Sequence, residues 1–380
     1  MMKESFARIW QLIVKEFIQV FRDPRARFSL IAPPLVQMLI FGYAASFEVR
    51  HVTTAILDLD HSQESRELIS RFWASDYFDI TGNLKERSEI AGLIDRRKIA
   101  LAIHIMPGFA ENLRKGQTAG VQVILDGTDS NTALVALSYV GAITQRFSQE
   151  YLADHIMRTM PAVARVPSVQ LMERPWFNPD LDSTWFFVPG TIGALTLTLV
   201  MTMTAFAIVR EREIGTLEQI MVTPVSPAEL IAGKTVPYFL IALVQLTLVA
   251  LLAVFWFRVP FEGSVPVMIL GSFLFIFSVL AIGLLISTIS ATQQQAMVTS
   301  FFFIMPAITL SGFSFPISSM PTFLQWLTYI DPLRYFEVVL RDSFLKGNGI
   351  SVLWPQMVAM AVLGGVLITF ASIRFHKTLD

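Results

Sequence analysis

Residues 226–257 read SPAELIAGKTVPYFLIALVQLTLVALLAVFWF, and two readings compete for this stretch. Gly233-Lys234-Thr235 matches the end of a phosphate-binding loop, whose backbone amides wrap a nucleotide's phosphates. The first glycine of such a loop belongs at position 228, which is Ala228. The motif also requires a buried strand before it and a helix opening from it. Val236–Phe257 is instead an apolar run as long as the roughly 20 residues that cross a bilayer. The chain is therefore expected neither to bind nor to hydrolyse ATP itself. Ser226-Pro227-Ala228-Glu229 is a capping box with proline at the first helical position, so a helix should start there. Gly233 and Lys234 then fall where that helix meets the membrane. The Gly-Lys-Thr reads as a turn at the membrane surface, with Lys234 extending toward lipid headgroups.

The rest of the chain has matching chemistry. It has 380 residues, 53% hydrophobic and 16% charged, with a mean hydropathy of +0.56. Soluble domains carry about 25% charged residues, so the deficit points to a membrane protein. A net charge of −1 offers no electrostatic footprint for nucleic acid. The absence of cysteine excludes disulfides, thiolate metal sites and cysteine nucleophiles.

Six runs are long enough to span a bilayer: Phe28–Phe47, Thr184–Val209, Val236–Phe257, Val265–Ile289, Ala296–Ile317 and Ile350–Ile373. The predicted fold is an all-α membrane bundle of six transmembrane helices, with an α/β domain inserted between the first and second spans. Residues 1–27 form a cytoplasmic interfacial helix, 28–47 the first span, and 48–183 the inserted domain. Residues 184–373 hold five further spans, including a cytoplasmic loop at 210–235 and a re-entrant or interfacial segment at 318–347. Residues 374–380 are a cytoplasmic tail.

Within the first segment, Phe6, Trp10, Ile13, Phe17 and Phe21 recur at helical spacing opposite Arg8, Lys15 and Arg22, as in a helix lying in the membrane interface. Basic residues near the span ends set the orientation. They gather in the N-terminal segment, the 210–235 loop and the C-terminus, which places both termini inside and the inserted domain outside. Trp326, Tyr329, Tyr335 and Phe336 mark the 318–347 segment as lying at the lipid–water boundary.

The six runs contain no Asp, Glu, Lys, Arg or His. Ion-driven transporters need such groups to carry protons or coupling ions, so the energy for transport should come from outside this chain. Gln37, Gln245 and Gln356 are the strongest polar groups in the runs, and such residues bridge helices.

In the insert, strand-type runs at Thr53–Leu57, Phe78–Thr81, Ile99–Ile105 and Val121–Leu125 alternate with helical patterns at Ser62–Ala74 and Ile90–Arg97. The Asp58-x-Asp60 pair resembles the nucleophile motif of haloacid-dehalogenase-type phosphatases. A strand end, a turn and a helix cap at Ser62 or Ser65 account for both aspartates without chemistry. A calcium loop fails because its sixth position is Gln63 and its twelfth is Ile69. His51, His61, His104 and His155 lack metal-ligand spacing, and a turn at Asp126–Ala133 is capped by Asp129 or Ser130.

The loop after the second span reads REREIGTLEQIMVTPVSPAELIAGKT. Ile214, Leu217, Ile220 and Met221 make one apolar helical face, Glu211, Arg212, Glu213 and Glu218 its charged ends and sides, and Thr223-Pro224 its stop. Gly215 would permit close backbone approach. From the residues alone, a docking helix for another protein and an ordinary interfacial loop helix stand level.

The order of parts resembles the type-2 permease family of ATP-binding-cassette transporters, in the branch with a large periplasmic domain. The likeness is carried by ILDLDHSQESREL, VILDGTDSNTA, WFNPDLDSTWFFVPG, EREIGTLEQIMVTPVSPAELIAGKTVPY and DPLRYFEVVLRDSFLKG. The resemblance implies that the loop is a coupling helix inserting into a separate cytoplasmic ATPase, with Glu211, Arg212, Glu213, Ile214, Gly215, Leu217, Glu218 and Met221 as docking residues. It implies ATP and magnesium on that partner, with no cofactor on this chain. It also implies a dimer with a second copy or a paralogue, and a periplasmic adaptor of the membrane-fusion type. The implied location is the bacterial inner membrane, and the implied function is export of a hydrophobic or amphipathic substrate. Two alternatives are a subunit that transmits force to periplasmic partners and a membrane-anchored envelope sensor or assembly factor.

Overall fold

A computed structural model describes residues 2–22, 24–44, 51–128, 130–159, 176–179, 182–216, 222 and 225–377. The chain divides into two compact units, Glu48–Glu173 and the remainder. The first unit is α/β. Its strands are β1 (Val52–Asp58), β2 (Phe78–Asn83), β3 (Leu101–Ile105) and β4 (Val121–Leu125), in the order β2-β1-β3-β4. β1 runs parallel to β2 and β3, while β4 is antiparallel to β3.

The two-residue side-chain period sends Leu101, Ile103 and Ile105 to one face and Ala102 to the other. The first face packs with Leu68 and Phe72 of α3 (Gln63–Trp73), Phe109 of α5 (Phe109–Arg114), and Ala136, Val140 and Phe147 of α6 (Ser130–Thr159). The second face, with Ala55 and Leu57, packs against Ile90 of α4 (Ser88–Asp95). Each predicted strand run and both helical patterns are met by an element.

The aspartate pair does structural work. Asp58 accepts hydrogen bonds from the amides of Asp60 and His61 and from the Ser65 hydroxyl, while Asp60 accepts from the Ala110 amide at the start of α5. Ser62 caps α3. Arg114 donates to Glu64 at 2.8 Å, which ties α5 to α3 and holds the Glu64 carboxyl below its usual range. Among the described residues no cluster of His, Asp and Glu could hold a metal. The cap expected at Asp129 or Ser130 and the histidine at 155 lie outside the described side chains.

The second unit is helical. It contains α1 (Met2–Arg22), α2 (Pro24–Ala44), α7 (Thr184–Ile214), α8 (Pro227–Phe255), α9 (Val265–Ile289), α10 (Gln293–Leu310), α11 (Thr322–Leu327), α12 (Pro332–Arg341) and α13 (Ile350–Lys377). Four of them, α7, α8, α9 and α13, are long and apolar enough to cross a membrane. The other two expected crossings are shorter. The apolar part of α2 covers Leu30–Tyr43, and α10 starts at the polar Gln293 and ends at Leu310, before Gly312 at φ +87. An 18-residue helix such as α10 spans about 27 Å, a little under the roughly 30 Å hydrocarbon core.

α9 sits at the centre, with Phe275, Ile276 and Val279 fully buried against Val200 and Met201 of α7 and Met360 of α13. Gly283 of α9 lets α7 approach so closely that a Cβ there would lie 2.8 Å from Cβ of Thr204. Gln245 accepts from the Thr196 hydroxyl at 3.4 Å, bridging α8 to α7 as its type and depth suggest.

The 318–347 segment splits by environment. Phe323, Trp326 and Tyr329 are exposed. α12, in contrast, belongs to the core: Leu333, Val339 and Leu340 are buried, and the ring of Phe336 stacks 4.1 Å from that of Phe275. Its amphipathic sequence turns an acid inward. Glu337 is 1% exposed, faces Gly190 and Gly193 of α7, and pairs with Arg341 at 3.2 Å. The apolar runs are free of ionisable groups, yet the core is not, because α12 inserts between them from outside the runs. Arg341 also donates to the Gly312 carbonyl, so the pair holds the α10 end. Glu337→Ala is expected to destabilise the protein by about 3 kcal/mol, since it strands the Arg341 charge in a largely buried site. A thermal melt in detergent that matched the wild type would refute this.

Candidate functional site at the ends of α7 and α8

The two helices that frame the 210–235 loop are joined to α1 by a network of charges. Lys234 is 3% exposed, and its Nζ lies 2.8 Å from Glu16 of α1 and 3.0 Å from Glu211 of α7. Tyr238 donates from Oη to Glu16 at 3.2 Å, Lys15 lies 3.2 Å from Glu211, and the Thr216 hydroxyl donates to Glu211. One turn before Lys234 on α8, Glu229 receives Arg8 at 2.7 Å and the Ser5 hydroxyl. It also closes the expected capping box, accepting from the Ser226 amide while its own amide donates to Ser226 Oγ.

This geometry corrects two expectations. Gly233-Lys234-Thr235 is not a turn: it lies inside α8, which runs without a break from Pro227 to Phe255. The amides that a phosphate would need are those of a continuing helix. Nor does Lys234 extend to headgroups, because two buried carboxylates neutralise it at short range. Gly233 has a packing role, since a Cβ there would meet Cβ of Leu12 at 2.6 Å.

α1 also docks on the rest of the helical unit. Phe6, Trp10 and Phe21 are exposed, while the face with Ser5, Arg8 and Glu16 is docked on protein. Ser5, Arg8, Leu12, Lys15 and Glu16 recur at helical spacing along that docked face. The signal for the network was thus present in α1, but its partners lie more than 190 residues away.

The eight residues expected to dock a partner separate into groups. Glu211 is spent in the network. Arg212 donates to the Ser290 carbonyl at 3.0 Å, and Glu213 accepts from the Gln293 amide and side chain at 3.2 and 2.7 Å. These two therefore fasten the α9–α10 connection to the end of α7. Ile214 is exposed. Gly215 adopts φ +81 as the C-cap of α7, with nothing within 4 Å of a Cβ position. The glycine is needed for its left-handed backbone and not for close approach. Leu217, Glu218 and Met221, with the stop at Thr223-Pro224, lie outside the described residues.

Beneath this site a small apolar cluster of Ile208, Leu230, Ile231, Leu284 and Ala371 ties α7, α8, α9 and α13 together, with Leu12 of α1 packed on it.

The comparisons with known proteins converge on one family. Residues 27–373 match the model of the ABC-2 family transporter protein. The chain belongs to the ABC-2 transporter family. It is 37% identical over 363 residues to the "Probable multidrug ABC transporter permease YbhR" of Escherichia coli strain K12, covering 94% of this chain and 96% of that one. It is 32% identical to the "Probable multidrug ABC transporter permease YbhS" of the same organism, covering 99% and 98%. It is also 30% identical to the "Inner membrane transport permease YhhJ", covering 86% and 85%. This ABC-2 chain is thus a permease-type membrane subunit, and its apolar helices are those of an integral membrane protein.

Proposed function

We propose that the chain is the membrane subunit of an ATP-driven exporter and that its 210–235 loop receives the stroke of a separate ATPase carrying ATP and magnesium. The observation that supports this most directly is the clamp of α1 on both ends of that loop. A loop that only connected two helices would need no four-charge tie to a third with Glu16, Glu211 and Lys234 buried. On this reading Ile214, Leu217, Glu218 and Met221 meet the ATPase, while Glu211, Arg212, Glu213 and Lys234 pass the displacement to α1, α7, α8 and α10. The exported molecule is hydrophobic or amphipathic, a reading supported by relatives described as multidrug permeases.

The proposed topology has six crossings, both termini in the cytoplasm and the α/β unit in the periplasm. The assembly is a dimer with a second copy or a paralogue, working with a periplasmic adaptor. Cysteine placed at Gln117 should react with an impermeant thiol reagent in intact spheroplasts, while cysteine at Glu218 should react only after permeabilisation. The absence of native cysteine makes the assay clean. The reverse labelling pattern would reject this topology. For the function as a whole, the test is co-purification of an ATPase with the solubilised chain, followed by ATP-dependent transport in reconstituted vesicles.

A further inference from the structure

A cavity of about 350 Å³ opens between α1, α2, α7 and α8, directly beside the Glu16–Lys234–Glu211 network. Its size falls within the roughly 300–1,000 Å³ range of small-molecule sites. Along α7 its wall runs from Leu195 to Arg210, about 22 Å at the rise of an α-helix. Leu199, Met203 and Phe206 line this length, and Leu30 and Pro34 of α2 face them. The hydroxyls of Thr198 and Thr202 on the same wall are spent on carbonyls of their own helix. The α7 wall is therefore largely apolar, and Gln19 of α1 and Gln37 of α2 add two amide side chains to the lining.

The polar end has a definite charge. Lys15 and Lys234 are balanced there by Glu16 and Glu211, each pair within 3.2 Å, which leaves no net charge in the network. Arg210 also lines the cavity, is exposed, and has no ion-pair or hydrogen-bond partner among the described residues. One guanidinium without a counterion among the described residues thus stands at one end of a largely apolar slot. A guanidinium pairs best with a planar or tetrahedral oxyanion.

We propose that this cavity binds an anionic amphiphile, with its carboxylate or phosphate on Arg210 and its aliphatic chain between α2 and α7. The proposal deepens the exporter reading by naming a substrate class, and it rests on that reading only for what becomes of the ligand. Binding itself requires no ATPase. The same chemistry is offered by an anionic membrane lipid and by an anionic solute on its way out.

The test uses the full-length chain in nanodiscs of phosphatidylcholine, without ATPase or ATP. A photoactivatable palmitate and the matching photoactivatable hexadecanol are crosslinked in parallel, and labelled peptides are mapped. Wild-type protein should favour the acid over the alcohol by roughly tenfold, with labels on α7 between Leu195 and Arg210. Arg210→Gln should bring the two probes to parity, and Leu199→Trp, which fills the slot, should cut labelling by both. Phosphatidylglycerol added to the nanodisc identifies a lipid occupant if it competes with palmitate, and a solute occupant if it does not. Either result is compatible with the site. An acid preference that survives Arg210→Gln, or labelling that survives Leu199→Trp in a variant with an unchanged melt, would overturn it. Failure of ATPase co-purification with this binding intact would remove only the exporter reading.

Discussion

Lys234→Met should lower the unfolding free energy by roughly 3–5 kcal/mol, because it leaves Glu16 and Glu211 buried without their shared cation. The methionine replaces the lysine stem, so little packing is lost and the effect reports on charge. Glu211 retains Lys15 at 3.2 Å, whereas among the described residues Glu16 keeps only the Tyr238 hydroxyl. Most of the cost therefore falls on Glu16. Removing the three buried charges together, Lys234→Met with Glu16→Gln and Glu211→Gln, should recover most of the stability, since replacing a whole buried ionic group is often close to neutral and Lys15 is half exposed. The measurement is thermal or denaturant unfolding in detergent, with proteolysis of α1 as a local readout. If the single variant melts with the wild type, or the triple variant melts well below the single one, the network does not hold α1 as described.

Leu217→Asp should leave the protein folded and inserted yet abolish retention of its ATPase. On the proposed coupling role of the loop, an aspartate at 217 would be buried unpaired in the partner's cleft, which costs on the order of several kcal/mol. Glu218→Ala should be mild, near 1 kcal/mol or less, as expected of a charge at a wet rim. The comparison is made by co-purification of the ATPase with each variant, beside a thermal melt of the permease alone. A folded Leu217→Asp protein that holds its ATPase as well as the wild type does would show the loop to be an interfacial helix and nothing more. The two substitutions also separate from each other. Lys234→Met acts inside this chain and should shift its melt, whereas Leu217→Asp should shift only the assembly.

How far the sequence could be read depends on how local each signal is. The Ser226–Glu229 capping box, the Ser62 cap and the four strands of the α/β unit arise from residues a few positions apart, and each is where the pattern places it. The same holds for α7, α8, α9 and α13, whose length and composition are written in consecutive residues. Gly233-Lys234-Thr235 misled because its local context, a glycine and a cation at the edge of an apolar run, suits a surface turn. Its actual environment is supplied by Leu12 and Glu16 of α1. Glu337 escaped notice for a similar reason: α12 looks like a boundary helix, and only its insertion against Gly190 and Gly193 makes the acid a core residue.

By itself, the sequence determined the class of protein: a membrane chain of long apolar helices with an α/β insert and no complete phosphate loop. These features come from the free energy of moving consecutive residues between water and hydrocarbon, and from hydrogen bonds closed within a few residues. Only the tertiary structure decided which charges are buried, which face of α1 is docked, and that Arg210 stands unbalanced among the described residues beside the α2–α7 cavity. Those outcomes depend on pairings across more than 190 residues of chain. Glu16 and Lys234 are stable in the core because a counterion on another helix lies within a few ångströms of each, and sequence spacing carries no record of that meeting.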